Sequence, residues 1–315
     1  MLAWIESRGR TQMRLAGKVA IVTGGSRGIG FAIARALGTE GARVAIASRT
    51  AAELEAARSK LETERIEALA RPGDIARFDD VCALVDEVLR RWGRIDVLVN
   101  NAGVMGAIGR LDECDVQQWK RAIEINLFGT MHACRAVLPH MRASGGGKII
   151  NVAGGGIGGA AVAPRVSAYA SSKAAIVQFT EALAREVQGE GIQVNAVSPG
   201  AVITEMTAVV LAAGADRAGA ELYERTLEQR ARGGETAEPV SKLVVWLAGQ
   251  GSRGPTGKLL SAKWDRPETI DTEAANGSSL YTLRRIDGVL FQEAGKPLAP
   301  HELPPRPQHR PPDKP

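Results

Sequence analysis

Lys18-Val19-Ala20-Ile21-Val22-Thr23-Gly24-Gly25-Ser26-Arg27-Gly28-Ile29-Gly30 is the stretch on which the fold turns. Its first six residues have the apolar run of a strand buried on both faces. The glycines then give way to Ile29, Ile33, Ala36 and Leu37 at helical spacing. Strand, glycine turn and helix together give such a pattern meaning. Glycine permits the tight turn, lets the main chain approach a pyrophosphate, and leaves helix N-terminal N–H groups to hold it.

The same alternation runs outward from this point. Arg43–Ser48 (RVAIAS) reads as the next strand, followed by a helix carrying Leu54 and Leu61. A weaker strand ends near Asp74, and Val81, Leu84, Val85, Val88 and Leu89 mark one face of a further helix. Ile95–Asn100, Lys148–Val152 and Ile192–Val197 read as strands, and Lys258–Ala262 as a last one. Strands apolar on both faces, alternating with amphipathic helices, predict an α/β fold: a Rossmann-type doubly wound parallel sheet in three αβα layers. The pattern is continuous over 14–262 and reads as a single domain. Residues 1–13 read as a disordered leader, and 263–295 as a C-terminal extension whose one compact patch is Tyr281–Ile286. Residues 296–315 hold eight of the fifteen prolines and read as a disordered tail.

Composition narrows the function. A chain of 315 residues, 44% hydrophobic and 24% charged, has the make-up of an ordinary globular protein. No run approaches the ~18 apolar residues of a membrane span. The net charge is +5, but the bases are interleaved with acids, as in Arg58, Lys60, Glu62, Glu64 and Arg65. That is a solvated helix face, and it predicts no nucleic-acid partner. Cys82, Cys114 and Cys134 are odd in number, lie in helix-like segments and show no Cys-x-x-Cys spacing. They predict a reducing, cytoplasmic setting without disulfides or zinc. His132 and His140 are too far apart for a paired-ligand motif, so no metal is expected.

The end of the second strand should lie beside the adenosine ribose. An NAD site usually carries an acid there, to accept from the 2′-hydroxyl. This chain has Ser48 and Arg49, with Arg27 in the glycine turn and no acid in view to repel a phosphate. Two guanidinium groups suit a 2′-phosphate, so NADP(H) is expected in preference to NAD(H).

With these residues in place the sequence resembles the short-chain dehydrogenase/reductase family over roughly residues 14–262. Thr23-Gly24-x-x-x-Gly28-x-Gly30 is similar to the family's cofactor turn, with Ser26, Arg27 and Ile29 inside it. Asp74-Ile75 matches the pair that contacts adenine, and Asn100-Asn101-Ala102-Gly103 matches the N-N-A-G segment. Asn126 stands at the active-site Asn, and Tyr169-x-x-x-Lys173 matches the catalytic pair. Pro199-Gly200 with Val202 and Thr204 resembles the segment that holds the nicotinamide amide. The resemblance implies that Lys173 also holds the nicotinamide ribose and that Asn126 orders a water in the proton relay. It further implies a homodimer or homotetramer with the Tyr169 helix in the interface.

Elementary chemistry supports the pair. Tyr169 and Lys173, four apart, share a helix face. A phenol ionises near pH ~10, and a neighbouring ammonium is expected to lower that value into the useful range. Ile176, Phe179, Leu183 and Val187 give the same helix a packing face.

One segment departs from the family. A Ser normally ends the strand before this helix, whereas here the run is Asn151-Val152-Ala153-Gly154-Gly155-Gly156. Gly154 aligns by the strand; counting back thirteen from Tyr169 gives Gly156. Three replacements stay open: no donor at all, a nest of glycine N–H groups, or Ser167 turned inward. Losing one preorganised donor typically costs ~10²–10³ in rate.

The expected function is hydride transfer between NADP and a small carbonyl or secondary alcohol. The segment Ile203–Arg232 stands where the resemblance implies substrate-covering helices, and its small apolar residues suit either an apolar wall or a flexible lid. The alternative is a catalytically weak NADP-binding sensor or assembly protein.

Overall fold

β1 (Val19–Thr23) is buried along its whole length and lies third in a seven-stranded sheet. β2 (Arg43–Ser48) and β3 (Ala68–Pro72) lie on one side of it. β4 (Val97–Asn100), β5 (Gly147–Val152), β6 (Ile192–Ser198) and β7 (Leu259–Ser261) lie on the other. Every pairing in this sheet is parallel, in the order β3-β2-β1-β4-β5-β6-β7. The computed structural model describes residues 13–154, 157, 163–278, 281–282, 291–292 and 296–297.

Register explains why the strands read as unbroken apolar runs. Ala20 and Val22 of β1, with Val44 and Ile46 of β2, face one layer. That layer holds α1 (Gly28–Thr39), α2 (Ala51–Thr63) and α9 (Glu238–Ala248), and the strands meet Ile33, Leu37, Leu54, Leu61 and Val244 there. The alternate residues Val19, Ile21, Ala45 and Leu98 face α3 (Phe78–Trp92), α5 (Gly129–Ala143) and α6 (Ser167–Glu186). Each large side chain so buried contributes roughly 1.5–3 kcal/mol. The chain order reverses between β1 and β4, so a crevice opens outside their carboxyl ends, where ligands bind in this class of sheet.

The remaining elements border that crevice. α4 (Val116–Ile123) runs through a π-helical turn (Glu124–Phe128) into α5. The weakly periodic stretch after β6 forms α7 (Glu205–Ala218) and α8 (Ala220–Ala231). Both bend at glycines: Gly214 (φ 74°) inside α7 and Gly219 (φ 82°) between the two. Cys82 and Cys134 lie in helices, but Cys114 lies in the turn before α4; its expected helix is corrected by Asp115, which caps α4 one residue later.

Part of the C-terminal extension seals the sheet. Tyr281 packs on the core, and its carbonyl accepts from Leu259 N (2.7 Å), covering the β7 edge beyond α10 (Thr272–Asn276). β8 (Phe291–Gln292) and β9 (Lys296–Pro297) pair antiparallel, so the pairing reaches into the stretch read as tail. Residues 1–12 of the predicted leader, residues 283–286 of the Tyr281 patch and 298–315 lie outside the described residues. Among the described residues, no helix is long and apolar enough to cross a membrane.

Candidate active site

A cleft of about 620 Å³ opens at the carboxyl ends of β1, β2, β4 and β5. Its floor is the glycine turn between β1 and α1. Gly24 adopts φ +65°, and its N–H donates to Ala47 O (2.7 Å). A Cβ on Gly30 would sit 2.1 Å from Gly24 O, so only glycine lets the helix start here. Asn101 staples the turn from β4's end. Its Nδ2 donates to Thr23 O and Gly24 O (both 3.1 Å), while Thr23 Oγ1 accepts from the N–H groups of Asn101 and Ala102 (both 3.1 Å). Ser26, Arg27, Gly28, Ile29, Ala102 and Gly103 complete the lining.

At the β2 end Ser48 Oγ is buried with no hydrogen-bond partner, and Arg49 beside it is exposed. Arg27 is committed: its Nη1 lies 3.1 Å from Glu53 Oε1 of α2. The expectation of an acid-free ribose end is therefore corrected. Glu53 lines the cleft, and its long-range pairing left no local signal in the sequence. Arg71 of β3 was also missed; it lines the α3 side, ion-paired to Glu87, with its buried Nε unpartnered. Asp74 and Ile75 lie there as well. The Asp74 carboxylate accepts from Ala76 N (3.0 Å) and pairs with Arg121 of α4.

Tyr169 and Lys173 line the inner end, and Asn126, fully buried and not among the lining residues, lies behind it. Lys173 is only 3% exposed. Its Nζ donates to Val152 O (2.8 Å) and lies 5.9 Å from the Tyr169 ring centre. Burial pushes the Tyr169 phenol up to about 12 and the Lys173 ammonium down to about 8. The expectation of a lowered phenol is thus corrected, because desolvation disfavours the charged form of both groups. Asn126 sits in the π turn, where the widened ring re-aims it inward. Its Oδ1 accepts from Val104 N (2.8 Å), and its Nδ2 donates to Val104 O (3.0 Å) and to Ser172 Oγ (2.9 Å). Both Nδ2 hydrogens are used, and the main-chain carbonyl accepts from Thr130 Oγ1 (2.7 Å).

Gly154 answers part of the question left at the glycine run. A Cβ there would lie 3.1 Å from the Tyr169 hydroxyl and 3.1 Å from Lys173 Cγ, so a side chain at 154 would reach that hydroxyl. Gly155 and Gly156 lie outside the described residues. Ser167 does not turn inward, because its Oγ accepts from Trp119 Nε1 (3.0 Å).

The loop after β6 closes the cleft. Pro199 and Thr204 line it, and Thr204 caps α7 in a reciprocal box with Thr207. Gly200 (φ +81°) is not among the lining residues; a Cβ there would meet Glu235 Oε2 at 2.2 Å. Val202 is not among the lining residues either; it forms a backbone bridge with Glu235, whose carboxylate accepts from Ala201 N (2.8 Å). No local pattern announces this anchor, 34 residues away in the chain.

Residues 18–213 match the family described as short chain dehydrogenase. The chain belongs to that family. It is 37% identical over 238 residues to an L-fucose dehydrogenase of Mus musculus, covering 75% of this chain and 84% of that protein. It is 38% identical over 249 residues to a 2-(R)-hydroxypropyl-CoM dehydrogenase of Xanthobacter autotrophicus, covering 77% and 96%. A solved actinorhodin polyketide ketoreductase with NADPH superposes with a TM-score of 0.70 at 35% identity, covering 78% of this chain and 95% of that one. This short-chain dehydrogenase is thus an NAD(P)-dependent oxidoreductase that transfers hydride at an alcohol or carbonyl carbon, on a Rossmann-type sheet. The cleft fits the dinucleotide on its own evidence: a Cβ at Gly24, Gly25 or Gly30 of its floor would clash, and the lining residues Ser48 and Arg71 each carry a buried polar atom without a partner.

Proposed function

We propose that the protein is an NADP-dependent dehydrogenase/reductase, with Tyr169 exchanging the proton on the substrate oxygen. The observation that carries this is the buried Tyr169–Lys173–Asn126 group at the inner end of a cleft whose outer end offers Ser48 and Arg49. Gly24, Ser26, Arg27, Gly28, Ile29 and Gly30 would hold the pyrophosphate, and Asp74 and Ile75 the adenine. Ser48 and Arg49 would hold the 2′-phosphate. Asn101, Ala102 and Gly103 line the middle, and Pro199, Gly200, Val202 and Thr204 would frame the nicotinamide amide, Gly200 and Val202 through the main chain. When bound, the nicotinamide supplies or takes the hydride.

The rest is the work of this chain's residues. Burial keeps Tyr169 protonated through the neutral range, the form that donates to a carbonyl oxygen. Lys173 orients the nicotinamide ribose beside it, and the Asn126 carbonyl orders the water through which Tyr169 is reprotonated. A homodimer or homotetramer in the cytoplasm is the setting we infer, supported by three free cysteines and the family's habit. The glycine at 154 is the observation that favours the sensor alternative, and the buried Tyr169–Lys173–Asn126 group outweighs it.

The test is a paired experiment. NADPH should bind more tightly than NADH by titration, and Tyr169→Phe should abolish turnover in single-turnover assays while sparing NADPH affinity. Equal affinities would remove the NADP assignment, and a Phe variant that still turns over would remove Tyr169 as the acid.

A further inference from the structure

Three guanidinium groups line the cleft, and two of them are already matched by carboxylates. Arg71 is paired with Glu87 of α3, and Arg27 with Glu53 of α2 at 3.1 Å. Arg49 has no partner among the described residues. The two carboxylates differ in position, since Glu53 itself lines the cleft and Glu87 does not. The other acids of the lining are Asp74, paired with Arg121, Asp80, which accepts from Asp74 N (2.9 Å), and Glu205 of α7. Glu53 alone is an acid held by one of the arginines that face the cofactor. It stands in the first turn of α2, next to Thr50, which also lines the cleft and makes no side-chain cap hydrogen bond. Negative charge is favoured at that end of a helix. Both members of the pair are well exposed, Arg27 by 60% and Glu53 by 43%, so the pair is weak and open to exchange.

We propose that Glu53 sets the cofactor preference, by withholding Arg27 from an adenosine 2′-phosphate and by adding negative charge at the end of the cleft where that phosphate would sit. The proposal rests on the dinucleotide reading above. It makes Glu53 an attenuator: selectivity for NADPH should sharpen when this side chain loses its charge. An exposed ion pair contributes little by itself. A guanidinium released to a phosphate gains a charge-assisted and geometrically matched contact. Such a contact typically changes affinity by ~10–100-fold, and solvent screening at this exposed position places the expected gain near ~10-fold.

Titration of the full chain with NADPH and with NADH, followed by nucleotide fluorescence at fixed ionic strength, reads the effect without turnover. Glu53→Gln keeps the length of the side chain and removes its charge. It should tighten NADPH about tenfold and leave NADH within about twofold. Adding Arg27→Met should return NADPH to near the wild-type affinity, because the gain belongs to the released guanidinium. NADPH unchanged or weakened by Glu53→Gln overturns the proposal, and so does equal tightening of both nucleotides. A double variant that keeps the full gain overturns it too, by removing Arg27 from the effect. The NADP assignment is judged apart, on the wild-type ratio. Equal wild-type affinities, with NADPH still tightened by Glu53→Gln, would remove that assignment and leave Glu53 as the determinant. Binding of neither nucleotide would remove the cofactor reading of the cleft and the proposal together.

Discussion

Two glycine positions flank the same cleft and are glycine for different reasons. At Gly30 a Cβ would overlap a main-chain carbonyl, 2.1 Å away, which cannot move without dismantling the turn. At Gly154 a Cβ would press on two side chains, the Tyr169 hydroxyl and Lys173 Cγ, each at 3.1 Å. The first glycine is imposed by the backbone geometry of any dinucleotide turn of this shape. The second stands beside the proposed proton donor, within reach of a side chain, and it offers none. Fold-imposed glycine is read from spacing alone, whereas a glycine that replaces a functional group is recognised only by what surrounds it.

The comparison breaks most visibly at Gly30. Gly30→Ala should raise the NADPH Kd by about 1000-fold, or remove measurable binding, and should destabilise the chain by at least about 1–3 kcal/mol through overpacking. Fluorescence titration and thermal unfolding check both. A variant that binds NADPH normally would mean that the turn is not held by main-chain contact.

Solvent divides the two regions as well. Arg27 and Arg49 stand exposed at the outer end, whereas Lys173 is buried and its ammonium lowered to about 8. Between pH ~8 and its ordinary value near ~10.5, the unfolded chain binds a proton that the folded chain does not. Stability should therefore rise with pH in that window, by at most about 1.4 kcal/mol per unit for each such group. Lys148, also lowered to about 8 by burial, adds a second contribution of the same sign. Tyr169, raised to about 12, acts oppositely above pH ~10, where the folded state keeps the proton. Urea unfolding of the ligand-free protein at pH 8, 9 and 10 should show the rise, and Lys173→Met should remove about half of it. A flat profile in the wild type would place Lys173 in water.

The ribose end sharpens the comparison further. Arg27 is paired with Glu53, so on the proposed NADP assignment the 2′-phosphate would fall to Arg49 and the unpartnered Ser48 Oγ. Arg49→Ala should weaken NADPH by about 10–100-fold, the worth of a charge-assisted hydrogen bond, and leave NADH unchanged. Equal losses for both cofactors would assign Arg49 to the turn's integrity instead.

The strands, their parallel order and the glycine turn were legible because buried strands and helix spacing are local patterns. Tyr169, Lys173 and Asn126 were found by spacing and motif, and the fold brings Tyr169 and Lys173 to the cleft with Asn126 buried behind them. What escaped was non-local or electrostatic. Glu53 reaches Arg27 and Glu235 reaches Ala201 across 26 and 34 residues, and no window of sequence contains such a pair. The π turn at Asn126 has no signature in hydrophobic period. The upward shift of Tyr169 was missed because burial, which raises it, depends on the whole fold, while the i,i+4 lysine is visible in one line of text.

Gly154 gives the smallest effect and the sharpest distinction. Substituting it introduces two changes at once, a Cβ that crowds Tyr169 and, with serine, a hydroxyl beside the reacting oxygen. Gly154→Ala carries only the first and should lower kcat a few-fold by displacing the phenol. Gly154→Ser carries both, so the ratio of the two variants isolates the hydroxyl. We expect the serine variant to exceed the alanine variant by about tenfold in kcat, below the ~10²–10³ worth of a fully preorganised donor because the neighbours must yield to admit it. Equal kcat values would show that no substrate oxygen comes within reach of position 154. The carbonyl would then be held by Tyr169 alone, and the glycine would serve packing here as it does in the turn after β1.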